Sequence, residues 1–337
     1  MISVGVIGCG HWGPNHIRIF SQLTNSCVLM CADLDEKRLS AIQTLFPEIL
    51  TTKDYKDILN NPSIDAVVVA VPTNSHFKIT YEALQAGKHV LCEKPLAMSS
   101  EECLQLGDLA KNGGRVLMTG HIFVFNQGIV KLREYIASGE MGKIHYAHSE
   151  RTNLGPFRYD VNALWDLAPH DISIFNFLFN SAPVSVSARG HKCLGGNLED
   201  LGFATIDYPD NIMVNVHVSW LDPKKVRQIT VVGSQKMVAW DDLDAEWPIK
   251  LYDKYVEKTS HYYETYGEFQ LLSREGSITI PKIGFNEPLK TQAQYFIQCV
   301  EKNQPPLLAD ALKAADVVRT LVAIGESINR RGELVKL

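Results

Sequence analysis

Apolar and polar positions follow two different rhythms along this chain. The first part opens on an apolar run, Ile2-Ser3-Val4-Gly5-Val6-Ile7, then a helix-like stretch from about Pro14 to Leu23, then a second apolar run from Cys27 to Ala32. Short continuous apolar runs bounded by turn residues predict strands covered on both faces, as in a parallel sheet. The alternation continues through a helical stretch from Asp35 to Leu45, the segment Tyr55 to Leu59, and an apolar strand from Ala66 to Val71. A helix from about Phe77 to Ala86, a strand from Lys88 to Cys92, a helix from about Ser100 to Asn112 and a strand from Val116 to Thr119 complete it. Beyond about residue 123 the period falls to two, in Lys143 to Glu150, Val184 to Arg189, Leu201 to Tyr208, Ile212 to Leu221 and Gln228 to Val232. Such alternation predicts antiparallel strands with one covered face. Helices are expected from about Ala168 to Phe179, Leu289 to Glu301 and Ala309 to Arg330. The expected architecture is an α/β Rossmann domain (doubly wound parallel sheet) over residues 1–122, then an α+β domain with a large open-faced, mainly antiparallel sheet over residues 123–337. The final helix, about 309–330, is free to pack back on the first domain.

The turn after the first strand narrows the chemistry. Gly8, Gly10 and Gly13 form G-x-G-x-x-G between a strand and a helix, and Asp33 ends the second apolar run. In that context the first glycine permits a tight turn, the second lets the backbone approach a pyrophosphate, and the third lets the helix pack close to the strand. The pyrophosphate then rests on the helix N-terminus, and an acid roughly twenty residues further on binds the adenosine ribose. Asp33 is followed by Leu34-Asp35-Glu36, whose carboxylates disfavour a 2′-phosphate, so NAD is the expected cofactor. Lys37 and Arg38 leave NADP open.

Ligands of parallel sheets gather at the carboxyl ends of strands. Two polar clusters stand there, Pro72-Thr73-Asn74-Ser75-His76 and Glu93-Lys94-Pro95. Composition adds limits: 337 residues suit two domains, and a net charge of −5 offers nothing to a nucleic-acid backbone. No apolar stretch approaches membrane-spanning length, which predicts a cytoplasmic protein without a membrane partner. The seven cysteines include no C-x-x-C pair, as expected of reduced thiols, and the eleven histidines suggest no metal site. A sheet with one face uncovered is expected to bury it in a homodimer or homotetramer.

Together the glycine loop, Glu93-Lys94-Pro95 and Asp166-Leu167-Ala168-Pro169-His170-Asp171 resemble the Gfo/Idh/MocA family of oxidoreductases, along the whole chain. The resemblance implies a Rossmann domain joined to an open-sheet substrate domain, acting on hydroxyls of sugars, inositols or nucleotide sugars. It implies Lys94, Asp166 and His170 as catalytic residues. A neutral His170 would take the hydroxyl proton, Lys94 would hydrogen-bond the same oxygen, and Asp166 would orient the imidazole or bind a neighbouring hydroxyl. Asp166 is equally suited to capping the helix that follows. By position, His11, Trp12, Leu34, Thr73, Asn74, His76, Glu93 and Asn126 join the cofactor contacts. His76 also reads as a structural residue and Asn126 as a turn former. Where many relatives carry a glycine two residues before the histidine, this chain has Ala168-Pro169, which predicts a later or bent helix start.

The stretch from Arg151 to Trp165 is similar to the branch of the family acting on UDP-linked amino sugars, including UDP-N-acetylglucosamine 3-dehydrogenases. Arg151 and Arg158, with Lys224, Lys225 and Arg227, suit either a substrate diphosphate or a solvated surface. Tyr159, Asn162 and Trp165 suit sugar hydroxyls, a uracil ring or loop packing. The expected reaction is oxidation of the 3-hydroxyl of a UDP-N-acetylhexosamine or its uronate. The alternatives are an inositol or free-sugar dehydrogenase, a keto-sugar reductase, and a non-catalytic NAD-binding sensor.

Overall fold

A computed structural model describes residues 1–256, 273–284 and 286–337. They divide into two compact units, Met1–Phe125 with Asn286–Arg319, and Asn126–Phe285 with Thr320–Leu337. No helix among the described residues is long and apolar enough to cross a membrane.

The first unit follows the order β1 (Ile2–Ile7), α1 (Gly13–Gln22), β2 (Ser26–Ala32), α2 (Glu36–Leu45), β3 (Leu50–Thr52), α3 (Tyr55–Asn60), β4 (Ala66–Val69), α4 (His76–Gln85), β5 (His89–Cys92), α5 (Ser100–Asn112) and β6 (Leu117–Thr119). The six strands are parallel in the order β3-β2-β1-β4-β5-β6. Every residue of β4 and β5 is buried, as their unbroken apolar character predicts. The chain order reverses between β1 and β4, and at such a point the strand ends leave a crevice for a ligand. Asp35, Asp54 and Ser99 cap α2, α3 and α5 through side-chain bonds to backbone N–H groups.

The second unit carries α6 (Gln127–Ala137), β7 (Ile144–Leu154), α7 (Ala163–Phe179), β8 (Ser185–His191), β9 (Leu201–Tyr208), β10 (Ile212–Ser219), β11 (Leu221–Gly233), β12 (Met237–Asp241), β13 (Ile249–Val256) and β14 (Ser273–Thr279). The chain then adds α8 (Pro288–Lys302) to the first unit, crosses α9 (Ala311–Asn329), and closes the second with β15 (Val335–Lys336). Nine strands run β14-β13-β12-β11-β7-β10-β9-β8-β15, antiparallel throughout except β10 beside β7. Along β10 the valines 214, 216 and 218 are buried and Met213 and Asn215 exposed, so one face is core and the other is open. The core face meets α7. Gly202 of β9 lies so close to Leu164 that a Cβ there would stand 2.6 Å from Leu164 Cδ1.

Helix α7 corrects one expectation. It starts at Ala163, not near Ala168, because the Asn162 side chain accepts from Trp165 N at 3.0 Å and caps it. Pro169 therefore lies inside the helix. A proline there removes an i→i−4 bond at a cost of about 3 kcal/mol. Burial of Ile172, Ile174 and Phe175 on the same helix offsets that cost. Strands β3 and β12 to β14 and helix α6 escaped the pattern reading, β3 because it has only three residues.

Candidate cofactor and catalytic site

The turn after β1 is built for an anion. Gly8 has φ +95°, and a Cβ there would strike the carbonyl of Ala70 just past β4. Gly13 opens α1 so close to this turn that a Cβ would strike the carbonyl of Gly8. Gly10 faces open space, where a Cβ would meet nothing nearer than Arg38 Nη1 at 3.6 Å. Helix α1 has Trp12 at its N-cap position, with no side-chain cap bond and a proline in its first turn, in contrast to α2, α3 and α5. Its first N–H groups are thus left for a ligand, and the dipole favours negative charge. His11 and Trp12 are exposed on the same turn, edge to face at 5.6 Å.

Asp33 braces this turn from the end of β2. Its Oδ2 accepts from Cys9 N at 2.7 Å, and its Oδ1 accepts from Asp35 N at 2.9 Å. Arg38 Nη1 stands 3.5 Å from Oδ2. An ionised carboxylate has about four acceptor sites, so acceptor capacity remains for ribose hydroxyls. Leu34, beside it, is 88% exposed.

The clusters after β4 and β5 are joined by histidines. Thr73 is buried and Asn74 exposed in a single 3₁₀ turn before α4. His76 is 1% exposed, with Nδ1 2.6 Å from Pro95 O and Nε2 2.8 Å from Val71 O. Burial holds its pKa below the usual histidine range, despite the two carbonyls and Glu93. His76 therefore ties the two strand-end turns together, which supports its structural reading. Glu93 is likewise turned inward: its Oε1 lies 2.8 Å from His16 Nε2 on α1, and its Oε2 accepts from Lys94 N at 3.3 Å. Burial pushes the Glu93 carboxyl up, but the His16 hydrogen bond and the charges of His16, Lys94 and His76 outweigh it, and the pKa is lowered. The carboxylate expected at a ribose is committed to a protein histidine.

A third histidine, His121, follows β6. It is 2% exposed, and neither ring nitrogen has a hydrogen-bond partner among the described residues. Burial, with Lys94 adding to it, pushes its pKa down to about 4, against the opposite pull of Glu93 and Asp310.

In the second unit, Asp166 and His170 stand four residues apart on α7, the spacing that places two side chains on one helical face. Asp166 does not cap that helix; Asn162 does. Arg158 Nη1 donates to Asp166 Oδ1 at 3.1 Å, and Trp220 Nε1 donates to Oδ2 at 3.3 Å. Arg158 also forks onto Asp160 at 2.9 and 2.6 Å, which lowers the Asp160 pKa and raises that of Arg158. Arg151, expected at a substrate, is 2% exposed and forks onto buried Asp171 at 2.9 and 3.0 Å. Asn162, also expected at a substrate, spends its oxygen on the cap and donates from Nδ2 to Glu199 at 2.7 Å. Asn126 caps α6, accepting from Gly128 N at 2.9 Å, and its Nδ2 donates to Asp242 at 3.4 Å. Arg227 Nη1 reaches the same Asp242 at 3.1 Å, while Lys224 and Lys225 are exposed.

Residues 2–121 match the oxidoreductase family with an NAD-binding Rossmann fold, and residues 129–239 match the C-terminal domain of the same family. The chain belongs to the Gfo/Idh/MocA family. Inositol 2-dehydrogenase 2 of Saccharopolyspora erythraea is 29% identical over 224 residues, covering 64% of this chain and 66% of that protein. The chain spans 60–66% of the length of the first curated relatives it matches. Among solved structures, GenD2 from gentamicin A biosynthesis, in complex with NAD, has TM-score 0.83 at 23% identity, over 100% of this chain and 96% of that one. UDP-N-acetylglucosamine 3-dehydrogenase GnnA from Acidithiobacillus ferrooxidans has TM-score 0.80 at 22% identity, over 98% and 99%. At such identities the likeness shows the fold.

The matched Rossmann domain is an NAD-binding one, and the first unit fits that cofactor. The open side of Gly10, the uncapped α1 and the spare acceptor capacity of Asp33 suit a pyrophosphate and a ribose. Two residues that the motif reading passed over take part in holding the site: His16, which grips Glu93, and Trp220, which holds Asp166. His16 carries one signal in the sequence, since it falls with Gly13, Ile17 and Phe20 on the face of α1 that reads as core.

Proposed function

We propose that this chain is an NAD-dependent dehydrogenase that oxidises the 3-hydroxyl of a UDP-linked N-acetylhexosamine, or its uronate, to a 3-keto nucleotide sugar. NAD, when bound, supplies the hydride acceptor at nicotinamide C4. His170 takes the hydroxyl proton as the carbonyl forms. Lys94, as an ammonium, hydrogen-bonds the same oxygen and stabilises its developing charge. Asp166, four residues before His170, favours the imidazolium that results. Gly8, Gly10, His11, Trp12, Gly13, Asp33, Leu34, Thr73 and Asn74 bind the cofactor in this reading. His76, Glu93, Arg151, Asn126 and Asn162 support the fold around it.

The observation that supports the substrate class is Arg158. It is a guanidinium placed 3.1 Å from Asp166, on the helix that carries His170. Besides holding Asp160 and Asp166, a guanidinium there suits a diphosphate or a uronate carboxylate, which a neutral polyol lacks. The second reading, a neutral polyol, is favoured by the inositol 2-dehydrogenase among the relatives. A non-catalytic NAD-binding sensor would need none of Lys94, Asp166 and His170. NADH formation with UDP-N-acetylglucosamine, its uronate, myo-inositol and glucose separates these readings. The UDP-sugars are expected to react, with Arg158→Ala raising KM for them; absence of NADH with every UDP-sugar would overturn the substrate class.

The open face of the nine-stranded sheet supports an oligomer. Tyr146, Phe203 and Met213 on β7, β9 and β10 are 41–49% exposed there, and a second copy of the chain is the proposed cover. Light scattering after gel filtration is expected to give a dimer or tetramer, and a monomer would exclude it. A cytoplasmic location accords with this reading.

A further inference from the structure

Three buried histidines on three different elements surround the Glu93-Lys94-Pro95 turn: His16 on α1, His76 at the start of α4, and His121 after β6. Among the described residues, only His16 of these three meets a charged partner at hydrogen-bond distance, the Glu93 carboxylate at 2.8 Å. That carboxylate also holds the backbone N–H of Lys94. Gly120 backs it so closely that a Cβ there would lie 2.9 Å from Oε2 and 3.1 Å from Glu93 Cα. A side chain at position 120 would crowd Glu93 out of this place.

The other end of the link is the dinucleotide helix. His16 N donates to Trp12 O at 3.1 Å, so His16 belongs to the first turn of α1, the turn assigned above to the pyrophosphate in the proposed reading. Its ring stacks on Phe20 at 6.3 Å, and Phe20 meets Phe296 of α8 edge to face. One half-buried pair thus joins the first turn of the cofactor helix to the backbone of the lysine two strands away.

We propose that His16 and Glu93 are positioning residues that set Lys94 against the bound nicotinamide by locking its turn to the helix that holds the pyrophosphate. The proposal rests on the role given to Lys94 above. It differs from plain core stitching in what it predicts: an interaction that only stabilised the fold would change melting and leave Lys94 where it is. An interaction that positions Lys94 changes turnover and the lysine's own reactivity, with cofactor affinity nearly intact.

The test compares the full-length wild type with His16→Ala, His16→Gln and Glu93→Gln. Each is measured for NADH dissociation constant by fluorescence and for NADH formation with UDP-N-acetylglucosamine and with myo-inositol. The rate of Lys94 acetylation by acetic anhydride with NAD bound is read by mass spectrometry, with exposed Lys111 as internal reference. His16→Ala and Glu93→Gln are expected to lower turnover about 100-fold, the order of loss for a catalytic group misplaced by about an ångström, with NADH affinity within about threefold. Lys94 acetylation relative to Lys111 is expected to change by about threefold or more, and His16→Gln, which keeps an N–H donor, to recover about tenfold of the turnover. Wild-type turnover and Lys94 acetylation in a folded His16→Ala would overturn the proposal, as would a loss that tracks NADH affinity. Should His16→Ala not fold, the isosteric Glu93→Gln decides by the same criteria. If the wild type forms no NADH with UDP-N-acetylglucosamine, its uronate or myo-inositol, the proposed function fails, and the acetylation comparison still decides the positioning role.

Discussion

Arg151 of β7 and Asp171 of α7 form a two-bond fork inside the second unit, Nε to Oδ2 at 2.9 Å and Nη2 to Oδ1 at 3.0 Å, with both side chains at most 3% exposed. The pair fastens to the sheet the helix that carries Asp166 and His170. An arginine that reads as a phosphate ligand in the sequence is a brace in the fold.

Breaking this pair on one side leaves a buried charge, so Arg151→Met is expected to lose about 3–5 kcal/mol of unfolding free energy. Replacing both partners, Arg151→Met with Asp171→Leu, is expected to recover most of it. Urea denaturation measures both. A loss of under about 1 kcal/mol in the single variant, the scale of a surface pair, would contradict the assignment.

Gly10 and Gly13 are expected to separate cofactor binding from stability. At Gly10 a Cβ has space, so Gly10→Ala keeps the melting temperature while the methyl intrudes where the pyrophosphate approaches. NADH binding is expected to weaken about tenfold or more, from about 1.4 kcal/mol lost. Gly13→Ala drives its methyl into the Gly8 carbonyl and is expected to lower both melting temperature and affinity. Fluorescence titration and thermal melting of the two variants check this, and equal melting temperatures would contradict it.

Asp33 is expected to control the choice of dinucleotide. Its carboxylate repels a 2′-phosphate, while Arg38 stands 3.5 Å away and would be released to meet one. Asp33→Ser is expected to weaken NADH and strengthen NADPH, shifting the affinity ratio by about tenfold or more. An unchanged ratio would place the discrimination elsewhere.

His121 gives the fold a pH dependence above the carboxylate range. Its folded pKa is pushed down to about 4 by burial and by Lys94, from 6.5 when exposed. As pH falls from 6.5 towards 4 the unfolded chain takes up a proton that folded His121 refuses, so stability is lost across that window, by up to about 3 kcal/mol. His76, also lowered by burial, adds in the same direction. Glu93, whose folded pKa is lowered, adds a loss only below about pH 4.5. Urea midpoints from pH 7 to 4 are expected to fall less in His121→Phe than in the wild type. Equal slopes would exclude His121 as the source.

The Rossmann unit was legible because its signals are local. Strands such as β1, β4 and β5 are short, largely apolar runs, and Gly13 and Asp33 meet their partners within one βαβ unit. The second sheet showed its outline through alternation such as Val214, Val216 and Val218. What stayed illegible depends on pairing across the chain. His16 and Glu93 are 77 residues apart, Asp166 and Trp220 54, and nothing near Arg151 marks Asp171, 20 residues on, as its partner. Pro169 misled in the other direction: a proline usually starts a helix, and here Asn162 starts it a turn and a half earlier.

The central claim, hydride transfer from a sugar carbon to NAD with Lys94 and His170 in the roles proposed for them, has a direct test. The protein is incubated with NAD and UDP-N-acetylglucosamine deuterated at C3, and the NADH formed is examined by mass spectrometry and NMR. Deuterium at nicotinamide C4, abolished in Lys94→Ala and His170→Ala, is the predicted result. NADH formed without deuterium, or labelled equally by the two variants, would contradict it.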